Sequence, residues 1–167
     1  ASIVNAQGRN SEAATLLAEA TSEFSHIINL PGTDMADAIR IGGEIAMNQG
    51  DFGRALEHAD RALALTTALD PPALPLEVST RMLRAKALLG LSRVDDARQE
   101  IIRAINRLSE SNPLARTRMA GLLVVQVRIE LAARDANAAD DALVKAHALG
   151  IPLQYLDNED RATLQRE

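Results

Sequence analysis

The sequence predicts an all-α fold built as a stack of antiparallel helix pairs, and three observations lead there. Apolar residues recur at spacings of three and four rather than two, helix breakers fall between these runs, and alanines return in register every 42 residues. Alternating β-branched runs and Asn-Gly hairpin turns are absent, so nothing argues for a sheet.

The helical runs are expected at 11–28, 35–47, 55–65, 79–89, 95–108, 114–132 and 138–149. Breakers separate them: Pro31-Gly32, DPPALP from Asp70 to Pro75, SNP ending at Pro113, and GIP ending at Pro152. The clearest pair has helix A near 34–48, a turn through Gly50-Asp51-Phe52, and helix B continuing to about Thr67. Gly42 and Gly43 lie inside helix A, each costing about 1 kcal/mol relative to Ala, which predicts close backbone approach there.

The register is what turns helices into repeats. Ala13, Ala55, Ala97 and Ala139 form one column, and Ala20, Ala62, Ala104 and Ala146 a second. Leu17, Ala59, Ile101 and Leu143 align as well, as do Ile3, Ile45, Ala87 and Ile129. Two alanines seven apart share one helical face, where a methyl-sized side chain lets a neighbouring helix approach. Helix propensity explains why alanine is frequent but not why it keeps step. Gly43 shares its column with Ala85 and then Val127, so the last contact is expected to be looser.

The resulting units are a partial first repeat at 1–30, then 33–69, 74–111 and 113–150, with a capping helix or the start of another unit at 157–167. The segment 1–7 reads as the end of a helix A whose beginning is missing.

Composition narrows the function classes. The 167 residues are 47% hydrophobic, enough for a core, but the only aromatics are Phe24, Phe52 and Tyr155, so aliphatic residues and 30 alanines must build it. A net charge of -5 without a basic stripe argues against nucleic-acid binding by this segment. No apolar stretch approaches the roughly 20 residues of a membrane span. Zero cysteines exclude disulfides and thiolate chemistry, and a reducing cytoplasm is the expected setting.

No catalytic constellation is visible, and no cofactor or metal is expected. Glu23-x-x-His26 has the spacing of half a helical di-iron site, but no second copy exists, and His26, His58 and His147 fall in different columns. Asp95-Asp96 and Glu159-Asp160 sit near predicted helix starts, where the helix dipole favours negative charge. Asp140-Asp141 is a further acidic pair without a catalytic partner. There is no G-x-x-x-x-G-K-[ST] loop and no basic recognition helix.

A small residue midway along helix A, Gly50-Asp51-Phe52 at the turn, and Ala55 and Ala62 on helix B match in order the pattern of the tetratricopeptide repeat, which the chain resembles. The other copies keep the alanines but carry Asn10, Val94 and Ala136 in the Phe52 column. The ordinary repeat is about 34 residues; the longer, Ala/Leu/Arg-rich units here are similar to the helical-repeat region of bacterial transcriptional activators of the MalT type, in the LuxR family. The resemblance implies a right-handed superhelical stack whose inner face comes from helix A, serving as a protein-interaction or regulatory module within a larger regulator or signalling protein. It also implies a protein or peptide partner, or alternatively a small-molecule effector in the groove.

By that pattern the groove is expected at Arg40, Glu44, Met47 and Asn48 in the second copy, Met82, Lys86 and Leu89 in the third, and Arg128 and Leu131 in the fourth. Asp37, Ser79, Gly121 and Val124 fall on the same faces. The column Glu44, Lys86, Arg128 stands out: the two cations could meet an acidic group beside Met82 and Leu131, or Glu44 could pair with Lys86. The Lys/Asn clamp by which some tetratricopeptide proteins hold a C-terminal carboxylate is not reproduced, because Arg40 is followed by Glu44. Repeat ends expose apolar edges, so a homodimer through Ile3, Val4 and the first helix B is also expected to be accessible.

Overall fold

The computed structural model describes residues 32–69, 72–109 and 116–149. The expected partial repeat at 1–30, the segment 157–167, His26, the Glu159-Asp160 pair and the proposed dimer residues Ile3 and Val4 lie outside them. The described residues form six helices: α1 Gly32–Asn48, α2 Phe52–Thr67, α3 Leu74–Gly90, α4 Val94–Ser109, α5 Arg116–Ala132 and α6 Ala136–Ala148. No strand occurs among the described residues. None of these helices is long and apolar enough to cross a membrane.

The helices pack as antiparallel pairs, α1 on α2, α3 on α4 and α5 on α6, and successive pairs meet through α2–α3 and α4–α5. This is an all-α helical-repeat arrangement. The starts of α1, α3 and α5 are 42 residues apart (32, 74, 116), as are those of α2, α4 and α6 (52, 94, 136).

The turn inside each pair is built one way three times. Gly50, Ser92 and Arg134 occupy the left-handed region at φ 76, 59 and 58°. In each case the next residue's N–H reaches back to the helix: Asp51 to Ala46, Arg93 to Leu88 and Asp135 to Glu130, all at 2.9 Å. With the companion bond from the left-handed residue itself, this satisfies carbonyls that the helix end would leave bare. Only Gly50 adopts the conformation without a Cβ penalty.

The chain then turns directly into the second helix. Asp51 accepts from the Arg54 N–H at 3.0 Å and Asp135 from the Ala138 N–H at 3.1 Å, capping α2 and α6. Arg93 replaces the capping acid before α4, and there Asp95 and Asp96 place negative charge in the first turn, as the sequence suggested.

One boundary differs from expectation. α3 begins at Leu74 rather than near 79, because Pro75 sits in its first turn, where a missing N–H removes no helical bond. The break is confined to the residues before it.

Packing explains the alanine register. Ala55, Ala97, Ala62 and Ala104 have no exposed surface, Ala139 likewise, and Ala146 is buried. A Cβ on Gly43 would lie 2.7 Å from the Leu83 Cδ2 and 3.1 Å from the His58 Cβ, so three helices converge on a point with room for hydrogen only. Val127, in the same column, is fully buried against Ala139 and Ala142. The expected slack is therefore taken up: Ala142 stands where His58 stands two units earlier, and the larger residue on one side is met by a smaller one on the other. Phe52 rests directly on Gly90 of α3, where a Cβ would fall 2.5 Å from its ring.

Candidate functional site

The first helices of the pairs touch one another, α1 against α3 and α3 against α5, while the second helices make no comparable contact. Residues in one register on α1, α3 and α5 therefore form a row across the stack. Glu44, Lys86 and Arg128 are such a row, and Lys86 senses the charges of both neighbours.

The acidic end is self-contained. Arg40 donates to Asp37 at 2.7 and 2.9 Å and also to Glu44. Its side chain is only 16% exposed, against 47% for Asp37 and 51% for Glu44, so the carboxylates face outward and the cation lies beneath. The alternative ion pair between Glu44 and Lys86 is not formed among the described residues. Arg40, one turn back on the same helix, reaches Glu44 first.

Lys86 forms no ion pair among the described residues. The residue is exposed, yet partial burial of the ammonium lowers its pKa, with Glu44 opposing and Arg128 adding to the shift. Arg128 is half-buried. Of the apolar residues expected to flank the row, Met82 and Leu89 are partly buried against the central core, Met47 packs near Ala46 and Ala87, and Leu131 packs near Val127. Asn48 is exposed. The residues thus lie on the predicted helices, with their apolar members divided between surface and core.

A second polar feature has no counterpart in the sequence reading. Glu100 on α4 is 1% exposed and accepts from Arg81 at 2.7 Å, Arg84 at 2.8 Å and Arg103 at 3.3 Å. Arg84 also donates to Asp60 at 2.6 Å, while Arg81 and Arg107 converge on buried Glu77. The network ties α2, α3 and α4. Burial works against the Arg84 charge, but its bond to Asp60 and the neighbouring Glu100 outweigh that and raise its pKa. A smaller lock joins α4 to α5, where Arg98 donates to buried Glu130 at 2.9 Å. That bond holds Arg98 above its ordinary pKa despite some desolvation.

His58 and His147 lie on different helices, α2 and α6. The His58 Nδ1 is buried without a hydrogen-bond partner, and burial, aided by Arg54 and Arg61 and opposed by Glu57, pushes its pKa down. Among the described residues no group of three or more His, Cys, Asp or Glu is placed to hold a metal ion.

The architecture defines a class, proteins made of stacked helix pairs. No protein-family model matches the chain, and no curated protein matches it. Among solved structures it is similar to the crystal structure of BtubC (BKLC) from P. vanneervenii, with a TM-score of 0.67 and 20% identity over 93% of this chain. The chain spans 60% of that protein's length. At this identity the likeness concerns the fold.

Proposed function

We propose that the chain is a non-catalytic interaction module, a right-handed stack of tetratricopeptide-like 42-residue units that binds a protein or peptide segment along its first helices. In this reading it is part of a larger bacterial transcriptional regulator or signalling protein. The observation that carries it is the row of α1, α3 and α5. First helices that touch while second helices stand apart describe a stack curved toward the first helices, and stacks of this kind present extended concave binding surfaces.

The row supplies recognition chemistry. Lys86 is an exposed cation that forms no ion pair among the described residues, and partly buried Met82 and Leu89 offer apolar contact on the same helix. The inward-facing carboxylates at Glu77, Glu100 and Glu130 are already saturated by arginines and serve the scaffold instead.

The test is selection of binders from a random dodecapeptide library, followed by fluorescence anisotropy with wild type and Lys86→Glu/Arg128→Glu. Selected peptides are expected to lose at least tenfold in affinity for the double variant. Peptides that bind both proteins equally would place recognition elsewhere, and saturable binding of a small metabolite in a thermal-shift screen, with no peptide selected, would favour an effector sensor.

A further inference from the structure

From the placement of its amine we infer that Lys86 is a site of acylation, the side chain on the described helices that takes an acyl group from a small uncharged thioester ahead of the other lysine. The chain has two lysines, Lys86 and Lys145, against 16 arginines. Arginine does not deprotonate in proteins, so these two side chains alone can present a neutral amine to an electrophile. The inference stands whether or not a peptide binds the first helices.

Position separates the two lysines. Lys86 lies on α3, the middle one of the first helices, which touches both α1 and α5. Met82, four residues before it, and Leu89, three after, share its helical face and are partly buried, so its stem rises from apolar surroundings while the residue stays open to solvent. Glu44, the carboxylate that acts on it, is already bonded to Arg40 on its own helix, and Lys86 forms no ion pair among the described residues. Partial burial of the ammonium is the largest influence, Glu44 opposes it, the charge of Arg128 adds to it, and the balance favours the neutral amine. Lys145 differs: it is exposed in the last turn of α6, where the helix dipole favours the cation.

An ordinary lysine is neutral in about one molecule per thousand near pH 7.4, and each unit of lowering raises that share about tenfold. The neutral nitrogen attacks the thioester carbonyl carbon; the C–N bond forms, the C–S bond breaks, sulfur leaves with the bonding pair, and the proton shed by nitrogen passes through water to the thiolate. An uncharged donor is specified because the carboxylates of Asp37 and Glu44, about half exposed on α1, repel an anionic one. The product amide carries no charge, so the row loses its exposed cation.

The probe is the acetyl thioester of N-acetylcysteamine, and the readout is the rate of acetylation at each lysine near neutral pH, followed by mass spectrometry of proteolytic peptides. Lys86 is expected to react at least roughly threefold faster than Lys145 in the folded protein, and at about the same rate in guanidinium chloride, where position no longer matters. Glu44→Gln should speed Lys86 about twofold, and Arg40→Gln, which releases the Glu44 carboxylate toward Lys86, should slow it about twofold, with Lys145 unchanged in both. The comparison of folded with denatured chain needs no variant, and circular dichroism checks that the two variants are folded. Equal rates in the folded protein, a faster Lys145, a preference that persists in the denatured chain, or a Lys86 rate indifferent to both folded α1 variants would each overturn the inference.

Discussion

Replacing Glu100 by Gln should be among the most damaging single-atom changes available in this protein. The carboxylate is 1% exposed and receives three guanidinium hydrogen bonds, from Arg81, Arg84 and Arg103. Each charge-assisted bond is worth about 1.5–3 kcal/mol, but the losses do not simply add. Gln keeps one acceptor oxygen, Arg81 keeps Glu77, Arg84 keeps Asp60, and Arg103 is 59% exposed and turns to water. What remains is a buried amide whose NH2 points at donors, and breaking a buried ion pair in this way costs about 3–5 kcal/mol. We expect about 3 kcal/mol because of the surviving partners. With no Trp to report on folding, urea denaturation followed by far-UV circular dichroism is the assay, and the midpoint should fall at unchanged slope. A loss below about 1 kcal/mol would refute the claim that Glu100 is desolvated and fully engaged. A second arm separates the net worth of the network from the cost of breaking it: Glu77→Leu and Glu100→Leu with Arg81→Met and Arg84→Met, which leaves exposed Arg103 and Arg107 to water, should be less destabilised than Glu100→Gln alone.

Gly43→Ala sets about 1 kcal/mol of helix propensity against a Cβ placed 3.1 Å from the His58 Cβ, which no rotamer can move, so chemical denaturation should show a net loss. Ala97→Leu, at a fully buried position, should cost roughly 1–3 kcal/mol by overpacking; a neutral result would mean that α4 is not seated as described. Ser92→Gly and Arg134→Gly should each raise stability by about 0.5–1 kcal/mol, since a left-handed Cβ is removed at slight entropic cost, and the same change at a right-handed loop position should not. His58 has a folded pKa below its ordinary 6.5, so the unfolded chain binds more protons between the two values. Stability should therefore be full above about pH 6.5 and fall as pH drops toward the depressed value, a slope that His58→Gln should flatten in thermal melts taken across that range.

The repeat was readable because its signal is steric and periodic. Alanine columns report where helices touch, and a touching residue cannot grow without displacing a neighbour, as Gly43 and Ala97 illustrate. The row Glu44, Lys86, Arg128 followed from the same arithmetic. Its pairing did not, because Arg40 competes for Glu44 within one helix, and column positions contain no information about such local rivals. The buried acids were illegible for a different reason. Glu77 and Arg81 four apart look like an ordinary solvated pair on a helix surface, and Glu100 finds Arg84 and Arg81 sixteen and nineteen residues earlier in the chain, on another helix. The early start of α3 was hidden because Pro75 was read as a breaker, although a proline in the first turn is compatible with a helix.

The joint between the first two described hairpins is keyed: the Phe52 ring is wedged on Gly90, and Asp60 is bolted to Arg84 across it. The joint between the second and third has Arg98 reaching Glu130 and, in place of a ring, an aliphatic core in which Leu122, Val125 and Ile129 of α5 join Ala97, Ile101 and Ala104 of α4. Glu44 and Lys86 therefore ride on hairpins joined by a ring and an ion pair, and Lys86 and Arg128 on hairpins joined through aliphatic packing, so a different kind of contact sets each interval of the row.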